Sequence, residues 1–137
     1  MVEFQWQVRV YYEDTDSGGV VYYANYLRFM ERARTEWLRR LGFEQDELIR
    51  DDGILFAVRS VNLEYQRPAR FNDLLAVTVR VIESRRVSLV FEQVVNRVED
   101  DRGPLCTARV RIACLDAASL SPKPVPEKIL KEIADVG

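Results

Sequence analysis

The sequence predicts an α+β architecture, a mostly antiparallel sheet beside one long apolar helix. Three observations point there. Residues 24–41 carry apolar side chains at steps of three and four, the period of a helix. Four stretches rich in β-forming residues follow it in close succession, with turn signals between them. Another alternating stretch precedes it, so the order is β-α-β-β-β-β-α once a closing helix is added. A sheet with one face to cover and a helix with one apolar stripe satisfy each other as two packed layers.

Each element has its own reason. Over residues 4–12, Trp6, Val8, Val10 and Tyr12 share one face while Gln5, Gln7 and Arg9 share the other, which is strand alternation. Residues 13–22 read as loop, with Gly18 and Gly19 free to take positive φ. In the helix 24–41, Tyr26, Met30, Ala33, Trp37 and Leu41 form a stripe that Leu27, Phe29 and Leu38 widen. A stripe this broad predicts a helix packed closely on an apolar surface, and a sheet wrapped around it would supply one. Arg39 and Arg40 suit the negative end of the helix dipole, and Gly42 suits the stop. A short helical turn is expected over 45–50, broken by Asp51-Asp52-Gly53.

The later strands are expected over 54–66, 74–84, 87–97 and 105–116. Pro68 ends the first of these, because proline cannot donate to a ladder. Leu75, Val77, Val79 and Val81 mark one side of the second, and Val87, Leu89 and Phe91 one side of the third. Asp100-Asp101-Arg102-Gly103 turns the chain into the last, where Cys106, Ala108, Val110, Ile112 and Cys114 face inward. Pro122, Pro124 and Pro126 stiffen the connector, and Pro126 suits the start of a closing helix over 127–136.

A length of 137 residues fits one domain spanning 1–137. With 47% hydrophobic and 31% charged residues the chain reads as soluble and globular. So small a core gains from self-association, which would bury a second face. A net charge of -2 offers no bulk attraction for nucleic acid or an anionic membrane. The apolar run 54–58 is far short of the ~20 residues a membrane helix needs. Met1-Val2-Glu3-Phe4 lacks the basic and apolar pattern of a secretory leader, so a cytoplasmic location is expected. Cys106 and Cys114 lie in one strand, ~27 Å apart, whereas a disulfide needs Cα atoms within ~7 Å. They are expected as buried free thiols in a reducing compartment. Histidine is absent, which excludes Ser-His-Asp and Cys-His machinery and the usual His-ligated zinc sites.

The segment Tyr11-Tyr12-Glu13-Asp14-Thr15-Asp16-Ser17-Gly18-Gly19-Val20-Val21-Tyr22-Tyr23 places acids and glycines just ahead of the long helix. Four readings compete for Asp14-Thr15-Asp16. One is an Asx-type turn with an aspartate capping the helix. A calcium loop matches at Asp14, Asp16 and Gly19, but fails at Gly18 and at Asn25, where the template needs an acid or amide and a bidentate glutamate. A magnesium phosphotransferase would need further acids on a parallel sheet. In the acyl-transfer reading, an ionised aspartate attacks or activates water, and a helix-start N–H near Tyr23 holds the oxyanion.

The motif resembles the hotdog-fold acyl-CoA thioesterases, in the 4-hydroxybenzoyl-CoA thioesterase-like group and its Tol–Pal-associated branch. The resemblance rests on residues 11–16 and 18–22, on Asn25-Tyr26, and on Glu31-Arg32-Ala33-Arg34-Thr35-Glu36 with Leu41-Gly42. It continues through Glu64-Tyr65, Pro68-Ala69-Arg70, Asp73, Ser88-Leu89-Val90-Phe91 and the proline-rich connector. It covers nearly the whole chain. It implies a hotdog fold, with an antiparallel sheet wrapped around one long central helix, and hydrolysis of an acyl-CoA thioester. It implies Asp16 as the catalytic aspartate, the Tyr23 backbone N–H as the donor to the thioester carbonyl, and Asp14 as a structural acid. It also implies no metal and no bound cofactor, coenzyme A being part of the substrate. Homodimers or tetramers with sheets joined edge to edge, and active sites between subunits, follow from it as well. Members of the Tol–Pal branch often carry His where this chain has Tyr23; the hydroxybenzoyl enzymes carry Tyr.

Substrate contacts are expected at Arg85 and Arg86 for the coenzyme A phosphates. Arg59 and Ser60 are expected along the pantetheine channel, and Tyr22, Tyr26 and Phe56 around the acyl group. Surface solvation explains such arginines equally well, and core packing such aromatics. Two other functions use the same fold: binding of acyl-CoA without turnover, and hydration or dehydration of an acyl thioester. The second generally relies on histidine, which this chain lacks.

Overall fold

The computed structural model describes residues 4–136. A single five-stranded sheet runs in the order β1-β3-β4-β5-β2, every neighbouring pair antiparallel. The strands are β1 (Phe4–Arg9), β2 (Ile54–Tyr65), β3 (Leu74–Ser84), β4 (Ser88–Arg97) and β5 (Cys106–Asp116). The helices are α1 (Asn25–Arg40), the single turn α2 (Gln45–Glu47) and α3 (Glu127–Val136). The expected span 1–137 has its ends outside the described residues.

Alternation explains the sheet. Leu75, Val77 and Val79 of β3 are at most 2% exposed, as are Leu89 and Val95 of β4 and Cys106, Val110 and Cys114 of β5. On α1 the apolar residues buried are Tyr26, Phe29, Met30, Ala33, Trp37 and Leu38, so most of the stripe read from spacing packs; Leu27, expected to widen it, is instead 39% exposed, and the buried Asn25 joins the packed face. Each large apolar side chain buried this way contributes about 1.5–3 kcal/mol. Trp37 meets Phe91 edge to face at 5.1 Å, joining α1 to β4.

A polar network lies inside this layer. Gln93 is fully buried on β4. Its amide nitrogen donates to the Met30 and Thr78 carbonyls, and its oxygen accepts from Arg34 Nη1 at 2.8 Å. The Thr78 hydroxyl accepts the Val94 N–H at 2.9 Å. Side chains here replace ladder bonds between β3 and β4, and every fully buried side-chain nitrogen and oxygen among the described residues has a partner.

The structure departs from the sequence reading at several ends. The expected strand 4–12 stops at Arg9, and Tyr12–Asp14 forms a 3₁₀ turn. Tyr12 therefore leaves the apolar face and is 79% exposed. The turn expected over 45–50 divides into α2 and a wider π-type turn, Leu48–Asp52, so Asp51 and Asp52 belong to the turn they were expected to break. No helix among the described residues is long and apolar enough to cross a membrane.

Candidate active site

The acid segment folds as a small hairpin. Thr15 pairs with Val21, Asp16 N–H donates to the Val20 carbonyl at 2.9 Å, and Gly19 N–H closes the turn on the Asp16 carbonyl at 3.1 Å. Gly19 sits at φ +79°, a conformation that costs a glycine little. Gly18 N–H donates to Asp16 Oδ1 at 2.8 Å, so close that a Cβ on Gly18 would lie 3.2 Å from that oxygen. The hairpin is held from behind by Val21 N–H to the Ala69 carbonyl and by a bridge between Val20 and Arg70.

The two aspartates play different parts. Asp14 is anchored: Oδ2 accepts the Tyr11 N–H at 2.8 Å, and its carbonyl accepts both Tyr22 N–H and the Asn25 side-chain amide. Asp16 is exposed and engages only Oδ1, in the Asx turn with Gly18. Its Oδ2 has no partner among the described residues. The Asx turn expected on the simplest reading is therefore present at Asp16, but no aspartate caps α1. Ala24 holds the N-cap position without a side-chain hydrogen bond.

That uncapped start leaves donors free. Tyr23 and Ala24 N–H groups have no acceptor among the described residues. Unpaired N–H groups at a helix start carry partial positive charge and suit an oxygen anion. The Tyr23 carbonyl is fixed by the Tyr65 hydroxyl at 2.9 Å. Tyr22 and Tyr23 rings lie 4.8 Å apart. The Tyr22 phenol is raised above its ordinary range, chiefly by its hydrogen bond to Tyr23, with a smaller contribution from the negative charge of Asp16. Asp16, Tyr22 and Tyr23 thus gather on one open surface.

The remaining sequence-predicted residues scatter. Tyr26 is 3% exposed, and its hydroxyl accepts the Ala69 N–H at 3.0 Å, which makes it core. Phe56 lines a cavity of about 410 Å³ between α1 and the sheet, together with Trp37, Leu89, Phe91 and Arg34. Asp16 and Tyr23 do not touch that cavity. Arg59 occupies an irregularity in the β2–β5 register between Val58 and Ser60, and all three are exposed on the edge strand β2. Arg85 pairs with Glu83 at 3.0 Å, and Arg86 is exposed beside it. Sequence reasoning missed the parts played by Tyr65, Asn25 and the Arg34–Gln93 pair. Asn25 had a signal, an amide beside Tyr26 on an otherwise apolar stripe; Tyr65 had none in its own neighbourhood.

A five-stranded antiparallel sheet with a helix against it, and a carboxylate on a loop leading into that helix, is the frame of a thioesterase-type α+β protein. Comparison with known proteins makes this specific: residues 10–133 match the thioesterase-like superfamily, and the chain belongs to that family. It is 43% identical over 129 residues to "Acyl-CoA thioester hydrolase YbgC" of Escherichia coli O6:H1, covering 94% of each chain. It is 33% identical over 131 residues to "Acyl-CoA thioesterase YbgC" of Helicobacter pylori strain 26695, covering 91% of this chain and 95% of that one. Among solved structures, a probable thioesterase from Bartonella henselae superposes with a TM-score of 0.85 at 34% identity, covering 91% of this chain and 100% of that one. The hotdog thioesterase resemblance read from the motif is borne out by these matches.

Proposed function

We propose that this chain hydrolyses an acyl-CoA thioester to the free acid and coenzyme A, using Asp16 and the start of α1. The observation that carries the reading is the contrast between the two aspartates. Asp14 is consumed by structure, whereas Asp16 presents an oxygen without a partner among the described residues, on the loop that leads into the unpaired helix-start N–H groups. Identity of 43% to a relative named as an acyl-CoA thioester hydrolase supports the substrate class.

Two routes conserve atoms and charge. In one, Asp16 attacks the thioester carbonyl, the C–S bond breaks, and coenzyme A leaves as thiolate. Water then cleaves the acyl-aspartyl anhydride. In the other, Asp16 takes a proton from water as the hydroxide adds to the carbonyl, and the thiolate leaves from the tetrahedral intermediate. In both, the Tyr23 N–H donates to the oxyanion, a contribution typically worth ~10²–10³ in rate. No metal or bound cofactor enters either route.

We read the chain as one hotdog domain whose sheet curves around α1 as its central helix, working in the cytoplasm as a homodimer or tetramer. The open surface around Asp16 supports self-association, because Tyr22, Tyr23 and Tyr65 are 46%, 62% and 49% exposed there. So does edge strand β2, which leaves Val58 and Val61 uncovered. A second subunit on that edge would enclose the thioester and bring Arg59 and Ser60 toward it. Arg86 is the freer of the two arginines offered to coenzyme A phosphates, since Arg85 is engaged by Glu83. The test is release of free thiol from short, long and aromatic acyl-CoAs by wild type and Asp16→Asn. Turnover of every substrate by Asp16→Asn at the wild-type rate refutes the reading.

A further inference from the structure

One short segment touches both halves of the proposed site. Pro68-Ala69-Arg70, between β2 and β3, backs the Asp16 hairpin on one side and α1 on the other. The Ala69 carbonyl accepts the Val21 N–H at 2.8 Å. Arg70 bridges to Val20, whose carbonyl accepts the Asp16 N–H at 2.9 Å. On the helix side, the Ala69 N–H donates to the hydroxyl of Tyr26, in the first turn of α1, at 3.0 Å. The position of Ala69 therefore sets the spacing between the carboxylate and the helix-start donor.

This segment is clasped from outside. Beyond Arg70 the chain reverses at Asn72, at φ +73°, a conformation that residues other than glycine rarely take. Asp73 closes the reversal: its Oδ2 accepts the Arg70 N–H at 2.8 Å, and its N–H donates to the Arg70 carbonyl at 3.1 Å. Arg97, the last residue of β4, then grips the loop at both ends. Nε donates to Asp73 Oδ2 at 2.9 Å, and Nη2 to the Pro68 carbonyl at 3.0 Å. Nη1 donates to Asp100 Oδ2 at 2.8 Å, which fixes the guanidinium plane from a third side. The Arg97 and Asp73 side chains are 17% and 21% exposed, so water competes weakly for these bonds. Three acceptors in three directions suit a planar guanidinium and not an ammonium.

We infer that Arg97 is a positioning residue for the hydrolysis, holding the 68–73 loop so that Asp16 and the start of α1 keep their spacing. The inference rests on the reading of Asp16 as the hydrolytic carboxylate. Arg97 bonds to neither Asp16 nor Tyr23; its three bonds go to Pro68, Asp73 and Asp100. Its influence passes through Ala69 and Arg70 to Val20 and Val21, and from there to Asp16. A small displacement of a reacting group is enough to slow chemistry without weakening substrate binding.

The experiment combines thiol-release kinetics with amide hydrogen exchange on the intact protein, each rate being expressed per folded molecule. In Arg97→Gln, kcat should fall about tenfold or more while KM stays near wild type. Arg97→Lys should fall nearly as far, because an ammonium cannot span both ends of the loop. Asp73→Asn should fall less, and the double variant should lose no more than Arg97→Gln alone, since both act on one loop. Asp73→Asn also carries the test if Arg97→Gln fails to fold. The Val21 amide should exchange faster in these variants, while the middle of the β4–β5 ladder keeps its protection. Arg102→Gln is the control: Arg102 belongs to the same ion cluster but bonds only to Asp100, so kcat should stay at the wild-type value. Wild-type kcat in folded Arg97→Gln or Arg97→Lys, unchanged exchange at Val21, or an equal kcat loss in Arg102→Gln overturns the inference. Asp16→Asn is assayed alongside. Lost turnover there beside wild-type kcat in Arg97→Gln removes this inference alone, whereas wild-type turnover in Asp16→Asn removes the hydrolytic reading itself.

Discussion

The Tyr65 hydroxyl donates a 2.9 Å hydrogen bond to the Tyr23 carbonyl, tying the far end of β2 to the start of α1. That carbonyl shares its peptide plane with the Ala24 N–H, which is free. The Tyr65 ring also packs edge-on against the buried Tyr26 ring at 5.5 Å, so the hydroxyl is aimed by the core. Tyr65 is a positioning residue for the helix start in this account. Tyr65→Phe keeps the ring and removes the bond. It should lower kcat by about fivefold, near 1 kcal/mol, while KM stays close to wild type. Steady-state kinetics on an acyl-CoA checks this; a rise in KM at unchanged kcat would assign Tyr65 to substrate binding.

Asn25 fastens the hairpin to the helix. It is 8% exposed, and its amide donates to the Asp14 carbonyl at 3.1 Å. Asn25→Ala should destabilise the fold by about 1–3 kcal/mol, the usual cost of stranding buried polar groups. Urea denaturation of wild type and variant measures the difference. An unchanged midpoint would mean the hairpin is held from Ala69 and Arg70 alone.

Asp100 is the hub of an ion cluster at the β4–β5 turn, bound by Arg67 at 2.9 Å and by Arg97 and Arg102 at 2.8 Å. Its hydrogen bonds to Arg102, then those to Arg67 and Arg97, hold its carboxyl well below the ordinary carboxylate range. A folded pKa below the unfolded value contributes stability that is complete above ~4 and lost as pH falls further. Wild type should therefore lose stability steeply between about pH 4 and pH 2. Asp100→Asn should be less stable at pH 7 and show a shallower acid slope. Urea midpoints across that range decide it, and parallel slopes for the two proteins would remove Asp100 as the cause.

Cys106 and Cys114 are both fully buried on β5. Burial pushes the Cys106 thiol up to about 12 and raises Cys114 as well. Neither should react with a thiol reagent at pH 8 in the native protein, and both should react in urea. Rapid native labelling of either would show that β5 opens locally.

Strands were legible because alternation survives burial on one face. Leu75, Val77 and Val79 announce β3, and residues 74–84 form it. The end of β1 was not legible, since Val10 continues the pattern while the Asp14 carboxylate captures the Tyr11 N–H and turns the chain out. The candidate site was readable where it is local: Asp16, Gly18 and Gly19 lie within one turn. Tyr65 reaches Tyr23 across 42 residues, and Arg34 reaches Gln93 across 59, so neither pairing leaves a trace in local sequence. Charge alone also hides pairing, because Arg85 sits on Glu83, two residues away, which leaves Arg86 the freer of the two.

The most direct test of the account is thiol release from an acyl-CoA by Asp16→Asn, with folding verified by its denaturation midpoint. Asp16 is exposed and, among the described residues, its side chain holds only the Gly18 N–H, which an asparagine oxygen can also accept. The fold should therefore persist while kcat falls by ~10²-fold or more. A folded Asp16→Asn protein that turns over at the wild-type rate would contradict the assignment of the hydrolytic carboxylate.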